Sequence, residues 1–400
     1  MKLKKASAVI NMFKEFFHKE SSSGIILIMC ALTAVIISNS SLNHAYEKVL
    51  HTNIALGMGK FFISMSILHW INDGLMSIFF LLVGMEIKRE VLVGELKTIK
   101  KVILPIGAAL GGMVVPAIIY FMVNFGQNTV SGWGIPMATD IAFALGVISL
   151  VGNKKAPRGI VVFLTALAIV DDLGAIIVIA IFYTNNIRWL ALLIGVIAFV
   201  FLIIANKLKV RHISAFIILG FVLWICLLKS GVHATIAGVL LGISIPLGKT
   251  RVEAEESAAY KLEHLLNYVS AYGIMPIFAL ANSGVIVNIN SFKRLMISPV
   301  SIGIALGLFC GKQLGIFGMS WLFIKFKIAK LPSKVSIKHL YGASVLGGIG
   351  FTMSLFISSL SFSNAIYLND AKVAIMSVSI ISSILGFLIF KLMKTKNELS

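Results

Sequence analysis

Charged residues are scarce in this sequence, and acidic residues are the scarcest of them. Only 13% of the 400 residues are charged, and 16 are Asp or Glu against 35 Lys or Arg. A soluble domain carries about 25% charged and about 45–50% apolar residues, whereas this chain is 58% apolar. These proportions exclude an ordinary water-soluble globular domain.

Cysteine is also rare, and we expect no cofactor. Cys30, Cys226 and Cys310 all fall inside apolar runs, where cysteine acts as a small packing residue. Three such positions provide no disulfide framework. The first apolar run has no small-residue cleavage site after it, so we predict a retained span and not a removed signal peptide.

Long apolar runs dominate the rest of the sequence. A helix needs about 20 residues to cross a bilayer, and these runs are apolar on most faces, unlike soluble amphipathic helices. They predict an all-α polytopic membrane protein with twelve spans in the lipid bilayer. The predicted spans cover residues 24–39, 71–87, 102–123, 133–151, 159–183, 189–205, 213–228, 232–247, 262–283, 299–322, 340–360 and 372–390.

The net charge of +19 does not indicate a nucleic-acid partner once the basic residues are placed. With the N-terminus inside, 27 Lys and Arg fall in inside segments, seven outside and one, Lys312, within a span. Cytoplasmic loops of membrane proteins collect basic residues, so we predict that both termini are cytoplasmic. The twelve-helix domain at 24–390 would follow a tail at 1–23, with an interfacial helix at 8–19, and precede a tail at 391–400.

One long outside loop covers residues 40–70. Within it, residues 45–60 contain Gly57 and Gly59 and predict a chain that turns back as a hairpin. The alternation of polar and apolar residues is weak, which leaves the strand boundaries open.

Four acidic residues lie within the predicted spans. Asp73 is near the start of its span, but Asp140, Asp171 and Asp172 lie deeper, as does Lys312. A charge at mid-bilayer costs about 2.5–3.5 kcal/mol on insertion scales, so such residues usually pair, face a cavity, or carry ions and protons. The deep residues are therefore the candidate functional site.

Asp171 and Asp172 are adjacent in ALAIVDDLGAIIVIA. Consecutive helical residues point about 100° apart, so the two carboxylates cannot face each other. One can face a cavity while the other reaches a partner on another helix. The alternative is a purely structural ion pair with Lys312, which leaves Asp140 and the second aspartate unexplained.

Asp140 lies in GWGIPMATDIAFALG, where proline and glycine disfavour a continuous helix. A second glycine-rich run, LGGIGFTMS at residues 346–354, interrupts the eleventh span. Paired helix breaks near the membrane midplane indicate a transporter site. The alternative is that the glycines only allow close helix packing.

His233 lies near the outside end of a span among small residues. Because histidine titrates near physiological pH, His233 is either a pH-responsive group or a hydrogen-bonded interface histidine. A cluster of charged side chains lies on the predicted cytoplasmic side, just before and at the start of the ninth span. It is either a solvated face or a proton-sensing surface. Its members are Glu253, Glu255, Glu256, Lys261, Glu263 and His264.

Six motifs in collinear order resemble the NhaA family of sodium/proton antiporters. They are INDGLMSIFFLLVGMEIKRE, IPMATDIAFALGV, ALAIVDDLGAI, LKSGVHATIAGV, FALANSGV and GIGFTMSLFI. The resemblance covers about residues 20–390 and implies a transporter of the bacterial inner membrane, not an enzyme, that exchanges Na⁺ or Li⁺ for H⁺. It also implies an inverted repeat, spans 3–5 against 10–12, with discontinuous spans 4 and 11, an architecture of which this family is itself a known example.

The resemblance implies roles for the residues of the site. Asp172 would be the principal Na⁺ ligand, with Asp171 beside it and paired to Lys312 in one state. Asp140 and Lys312 would offset the partial charges of the broken-helix ends, with Thr139 near the cation path. The backbone of the second break would involve Gly348, Gly350 and Thr352.

The resemblance further implies pH activation and a homodimer formed through the 45–60 hairpin. The residues that correspond to the family's cytoplasmic pH-response region are Glu86, Arg89, Glu90, Glu263 and His264. The family pattern continues there with a second histidine and a proline, whereas this chain has Asn267 and Tyr268. The details of pH sensing therefore need not carry over.

The residues themselves predict the same mechanism. Carboxylates supply the hard oxygen ligands that a dehydrated cation needs, and protons compete for the same oxygens. Competition combined with alternating access is sufficient for antiport. If two protons exchange for one sodium ion, charge moves, and the membrane potential contributes about 2.3 kcal/mol per charge per 100 mV.

Three other functions use similar residues. A sodium-coupled symporter would need a substrate pocket, which a sequence does not reveal. An intramembrane aspartyl protease needs aspartates on different helices that face each other, and its GxGD pattern is absent. A retinal protein would use Lys312 for a Schiff base, but twelve spans argue against it.

Overall fold

The structure is a computed structural model that describes residues 20–58, 61–94, 99–152, 155–184, 187–210, 212–248 and 250–393. Three predictions lie wholly or partly outside the described residues. They are the interfacial helix at 8–19 with most of the 1–23 tail, the last two residues of the 45–60 hairpin, and the C-terminal tail from residue 394 onwards.

Helices make up most of the described chain. The first eight are α1 (Glu20–Ser38), α2 (Asn43–His51), α3 (Ile67–Leu92), α4 (Ile99–Val123), α5 (Ile141–Val151), α6 (Arg158–Phe182), α7 (Trp189–Lys207) and α8 (Ile213–Ser230). The other eight are α9 (Thr235–Ser244), α10 (Arg251–Glu256), α11 (Ala258–Asn282), α12 (Ile289–Ile297), α13 (Pro299–Lys325), α14 (Ile337–Leu346), α15 (Phe351–Ser361) and α16 (Ala365–Leu392). A 3-10 segment, Val130–Met137, precedes α5.

The described residues contain nine helices that are long and apolar enough to cross a bilayer, or eleven if each of two bent pairs is one span. The bent pairs are α1 with α2, at 113°, and α14 with α15, at 42°. The predicted span at 232–247 corresponds to α9, which has ten residues. Such a helix is only about 15 Å long, against a hydrocarbon core of about 30 Å. The polytopic helical class is confirmed, and the count of twelve stays a prediction.

The outside hairpin lies further along the chain than its predicted range of 45–60. Helix α2 occupies residues 45–51, and the antiparallel pair consists of β1 (Asn53–Met58) and β2 (Phe61–Ser66). Tyr46, Val49 and Leu50 are three and four residues apart, a helical spacing that brings them to one face. The predicted bounds are therefore wrong at the N-terminal side, because this segment follows a helical and not a strand period.

The described helices pack around two separate clusters of buried apolar side chains. The larger cluster includes Phe163 of α6, Leu308 of α13 and Leu346 of α14. The smaller cluster includes Leu202 of α7 and Phe216 of α8. The candidate site belongs to the helices of the larger cluster.

Helices α4 and α13 cross at glycines in backbone contact. A Cβ added at Gly111 would collide with the carbonyl of Gly315, and a Cβ at Gly315 would collide with the carbonyl of Gly111. Small residues permit such close approach of membrane helices. This contact fixes the position of α13, which carries Lys312.

We expect Gly315→Ala to lower the stability by about 1–3 kcal/mol, because the added methyl group overpacks the α4–α13 contact. Gly318→Ala on the same helix is the matched control, since nothing lies within 4 Å of its added Cβ. The control should be neutral or slightly stabilising. Thermal unfolding of the two purified variants in detergent measures the difference, and equal unfolding temperatures would contradict this packing.

Candidate ion-binding site

Two breaks between helical segments lie against each other. One break separates the 3-10 segment from α5, and the other separates α14 from α15. The hydroxyl of Thr139 donates to the carbonyl of Gly347 over 3.0 Å, and the amide of Asp140 donates to the carbonyl of Ile349 over 2.6 Å. Each break therefore supplies hydrogen-bond partners to the backbone of the other, as buried backbone requires.

The carboxylate of Asp140 binds the N-termini of two helices. Oδ1 accepts from the amide of Phe143, in the first turn of α5, at 3.0 Å. Oδ2 accepts from the amide of Thr352 at 3.0 Å and from its hydroxyl at 2.6 Å, in the first turn of α15. Helix N-termini carry free amide groups and partial positive charge, which a carboxylate neutralises. Asp140 thus holds the two interrupted helices together.

Asp171 and Lys312 form a buried ion pair between α6 and α13. Their Oδ2 and Nζ atoms are 2.6 Å apart, and the two side chains are fully buried. Lys312 lies between two π-helical turns, Gly307–Gly311 and Gln313–Phe317. Such turns alter the direction in which a helix presents its side chains and often occur at functional sites. The pairing that the family resemblance implies for these two residues is present in the structure.

Asp172 is 6% exposed and differs from Asp171 in its surroundings. Among the described residues, its Oδ1 atom has no hydrogen-bond partner, and neither has Oδ1 of Asp171. The charged groups near enough to act on Asp172 are Asp171, Glu86, Asp140 and Lys312. Three of these four are acidic. The site can therefore accept positive charge at buried carboxylate oxygens.

Four of the predicted pH-response residues are neighbours at the C-terminal end of α3. Arg89 binds Glu263 and Glu90, each at 2.7 Å. Glu86 interacts electrostatically with all three. Because Glu86 also acts on Asp172, this group is electrostatically connected to the buried aspartates.

The two histidines do not join that group in the described structure. His264 is exposed on α11, and its ring packs edge-on against Tyr260. His233 lies just before α9, where its Nε2 atom is 2.8 Å from the carbonyl oxygen of Tyr183 at the end of α6. The position of His233 agrees with a hydrogen-bonded interface histidine, and its part in a pH response stays a prediction.

Sequence reasoning missed a further buried carboxylate and a buried hydroxyl. Asp370 receives two hydrogen bonds from Arg294, at 2.8 and 2.7 Å, and no motif marks it at the start of its span. Ser379 of α16 accepts a hydrogen bond from the amide of Phe351 over 3.2 Å. The serine-rich stretch SVSIISS in an otherwise apolar span was a usable signal for Ser379.

The chain is similar to known proteins over nearly its whole length. The profile of the family described as Na⁺/H⁺ antiporter 1 matches residues 14–390. The Na(+)/H(+) antiporter NhaA 1 of Clostridium beijerinckii is 62% identical, over 100% of this chain and 99% of the relative. The Na(+)/H(+) antiporter NhaA of Psychrobacter arcticus is 48% identical, over 96% of this chain and 95% of its own. That of Sulfurovum sp. is 47% identical, over 96% and 98%.

We expect Lys312→Ala to destabilise the protein by about 3–5 kcal/mol, because it leaves the buried Asp171 carboxylate without its partner. Asp171→Asn should also destabilise. The double variant should lose less than the sum of the two single losses, since residues in direct contact are energetically coupled. Thermal unfolding of the four proteins measures the coupling, and strict additivity would show that the pair does not interact.

Proposed function

Because the chain belongs to the Na⁺/H⁺ antiporter 1 family and is a membrane transporter, not an enzyme, we propose that it expels Na⁺ or Li⁺ in exchange for external protons. The observation that carries the proposal is the pair of adjacent buried aspartates. Both aspartates have an oxygen without a hydrogen-bond partner among the described residues, but Asp171 forms an ion pair with Lys312 and Asp172 forms no ion pair there. One acidic group is thus neutralised by protein, and the next one is available for a transported ion.

Asp172 is the proposed principal ligand of the cation, with Asp171 beside it. Hard carboxylate oxygens suit a dehydrated Na⁺. Within the described ranges, no cluster of three or more His, Cys, Asp or Glu side chains is arranged to hold a metal ion. The remaining ligands would be neutral oxygens, and the hydroxyl of Thr139 and the carbonyls at the two breaks are the candidates. A weak, incomplete site suits an ion that must leave again.

Proton coupling would follow from competition for the same atoms. A protonated carboxyl group cannot serve as an anionic ligand, so proton and cation exclude each other at Asp172. When Na⁺ displaces Lys312 from Asp171, the site gains a second anionic ligand. Release of Na⁺ on one side and of protons on the other then requires that the site open to each side in turn.

The two interrupted helices are the proposed moving elements. They are joined at their breaks by Asp140 and Thr139, so the two elements would move together. In this proposal they are the discontinuous spans 4 and 11 of a twelve-span inverted repeat. If two protons enter for each Na⁺ that leaves, the exchange is electrogenic and an inside-negative potential drives sodium out.

We assign the pH response mainly to competition at the aspartates. The group formed by Glu86, Arg89, Glu90 and Glu263 is the proposed second contributor, because Glu86 acts electrostatically on Asp172. A change in the net charge of this group would alter the field at the cation ligand. Neither histidine is needed for that effect.

The proposed setting is a bacterial inner membrane, with both termini in the cytoplasm. The excess of basic residues in the predicted inside segments supports this orientation. A homodimer would form through the strand pair β1–β2. This two-stranded sheet has unpaired edges, and such edges can pair with a second chain.

We expect Asp172→Asn to abolish sodium/proton exchange, because a neutral amide neither supplies the anionic ligand nor carries the proton. Glu47→Gln, which removes an exposed carboxylate from α2, is the matched control and should exchange like the parent. A pH-sensitive dye in inside-out vesicles measures exchange on addition of Na⁺, Li⁺ or K⁺. Exchange near the parent rate in purified Asp172→Asn would refute the site.

We expect exchange to rise with pH, and its midpoint to move to lower pH when sodium is raised. The shift should be about one pH unit per tenfold sodium if one proton competes, and about half a unit if two compete together. Rates measured against pH at several sodium concentrations, in the parent and in His233→Ala, decide this. A midpoint that does not move with sodium concentration would exclude competition. If, in addition, the pH dependence of the exchange rate disappears in His233→Ala, the sensor is this histidine.

A further inference from the structure

Two serines of α16 lie against the break between α14 and α15. Ser379 and Ser382 are almost fully buried, at 2% and 0% exposure. Neither belongs to the breaks themselves, and neither lies on α6, which carries Asp171 and Asp172. The hydroxyl of Ser379 accepts from the amide of Phe351, and the hydroxyl of Ser382 lies next to Gly348. Both hydroxyls therefore lie beside the backbone of the break between α14 and α15.

Ser379 completes the capping of α15. The first amide groups of a helix have no partner within that helix. The amide of Thr352 is bound by Asp140, and the amide of Phe351 donates to the hydroxyl of Ser379 over 3.2 Å. Two different elements therefore share this helix end, and Ser379 is the neutral member of the pair.

Ser382 has a different relation to the break. Its hydroxyl has no hydrogen-bond partner among the described residues. It faces Gly348, where an added Cβ would lie 2.8 Å from the Ser382 oxygen. A fully buried hydroxyl without a partner is unfavourable, and such groups are rare in folded proteins. A partner that exists only in another conformation of the break would account for it.

We propose that Ser379 and Ser382 are positioning residues for ion exchange. Ser379 holds the N-terminus of α15, and through it the carboxylate of Asp140. Ser382 binds the backbone of the break when α14 and α15 rearrange during transport. The inference rests on the proposed antiport function, because the rearrangement is a step of that cycle.

The link to the transported ion passes through Asp140. Without Ser379, Asp140 is the only side chain of the described residues that accepts from the amides at this end of α15, and its carboxylate is drawn towards the free amide of Phe351. Asp140 and Thr139 bind the break whose carbonyls are proposed ligands of the cation, so a shift of Asp140 changes the cation site as well. Removing Ser379 should therefore weaken Na⁺ binding, whereas removing Ser382 should slow the rearrangement.

The test compares Ser379→Ala and Ser382→Ala with Ser383→Ala. Ser383 is the matched control, since its hydroxyl donates to the carbonyl of Ser379 within its own helix. Ser379→Thr keeps the hydroxyl and serves as the rescue. Three quantities are measured: amide hydrogen exchange over residues 347–356, sodium-dependent exchange rates in proteoliposomes, and thermal unfolding.

We expect Ser379→Ala to speed amide exchange at Phe351 and to raise the apparent KM for Na⁺ about fivefold, as loss of one hydrogen bond would. Ser379→Thr should restore both. Ser382→Ala should unfold no earlier than the parent but lower the maximal exchange rate about threefold or more. Ser383→Ala should leave the amide exchange at Phe351, the apparent KM for Na⁺ and the maximal exchange rate unchanged.

Three results would overturn the proposal. One is amide exchange at Phe351 that Ser379→Ala does not alter. Another is an unchanged apparent KM in Ser379→Ala, which would reduce Ser379 to a structural cap. The third is an unchanged maximal rate in Ser382→Ala. A parent protein without any exchange would refute the proposed function instead, and the amide measurement would still decide the capping.

Discussion

The first backbone amides of a helix have no partner within that helix, and in this chain one buried carboxylate satisfies such amides for two helices. Each oxygen of Asp140 accepts from the N-terminus of a different helix, α5 or α15. An asparagine could serve as an ordinary cap, but here its amide group would face one of the two ends as a second donor. The two breaks are joined at this double acceptor.

The charges of the site balance only if an ion is added. Asp140 is offset by two helix ends, and Asp171 is offset by Lys312. Asp172 forms no ion pair among the described residues, and its Oδ1 atom accepts no hydrogen bond there. A buried carboxylate without compensation takes up a proton or a cation, because isolated buried charge is very unfavourable. In the proposed antiport, Asp172 would bind Na⁺ when the site is open to one side of the membrane and a proton when it is open to the other.

Much of this arrangement is predictable from the sequence, for identifiable reasons. Asp140, Asp171, Asp172 and Lys312 stand out because charge is conspicuous in apolar spans. The bounds of the hairpin and the short length of α9 were harder to predict, since apolar segments fit both a helical and a strand period. The pairing of Asp171 with Lys312, rather than Asp172, could not be derived from one helix, because it depends on how α6 and α13 are rotated. The contact of Ser379 could not be derived either, because it depends on how α16 packs against Phe351 of α15.

The central claim is that Na⁺ and protons compete for the same buried carboxylates. The most direct measurement is titration calorimetry of the purified protein with Na⁺, performed at one pH in buffers of different ionisation enthalpy. The slope of the observed heat against the buffer enthalpy counts the protons released per Na⁺ bound. Competition predicts that binding releases protons and that Asp172→Asn abolishes both binding and release. Sodium that binds to the parent without any proton release would contradict the claim.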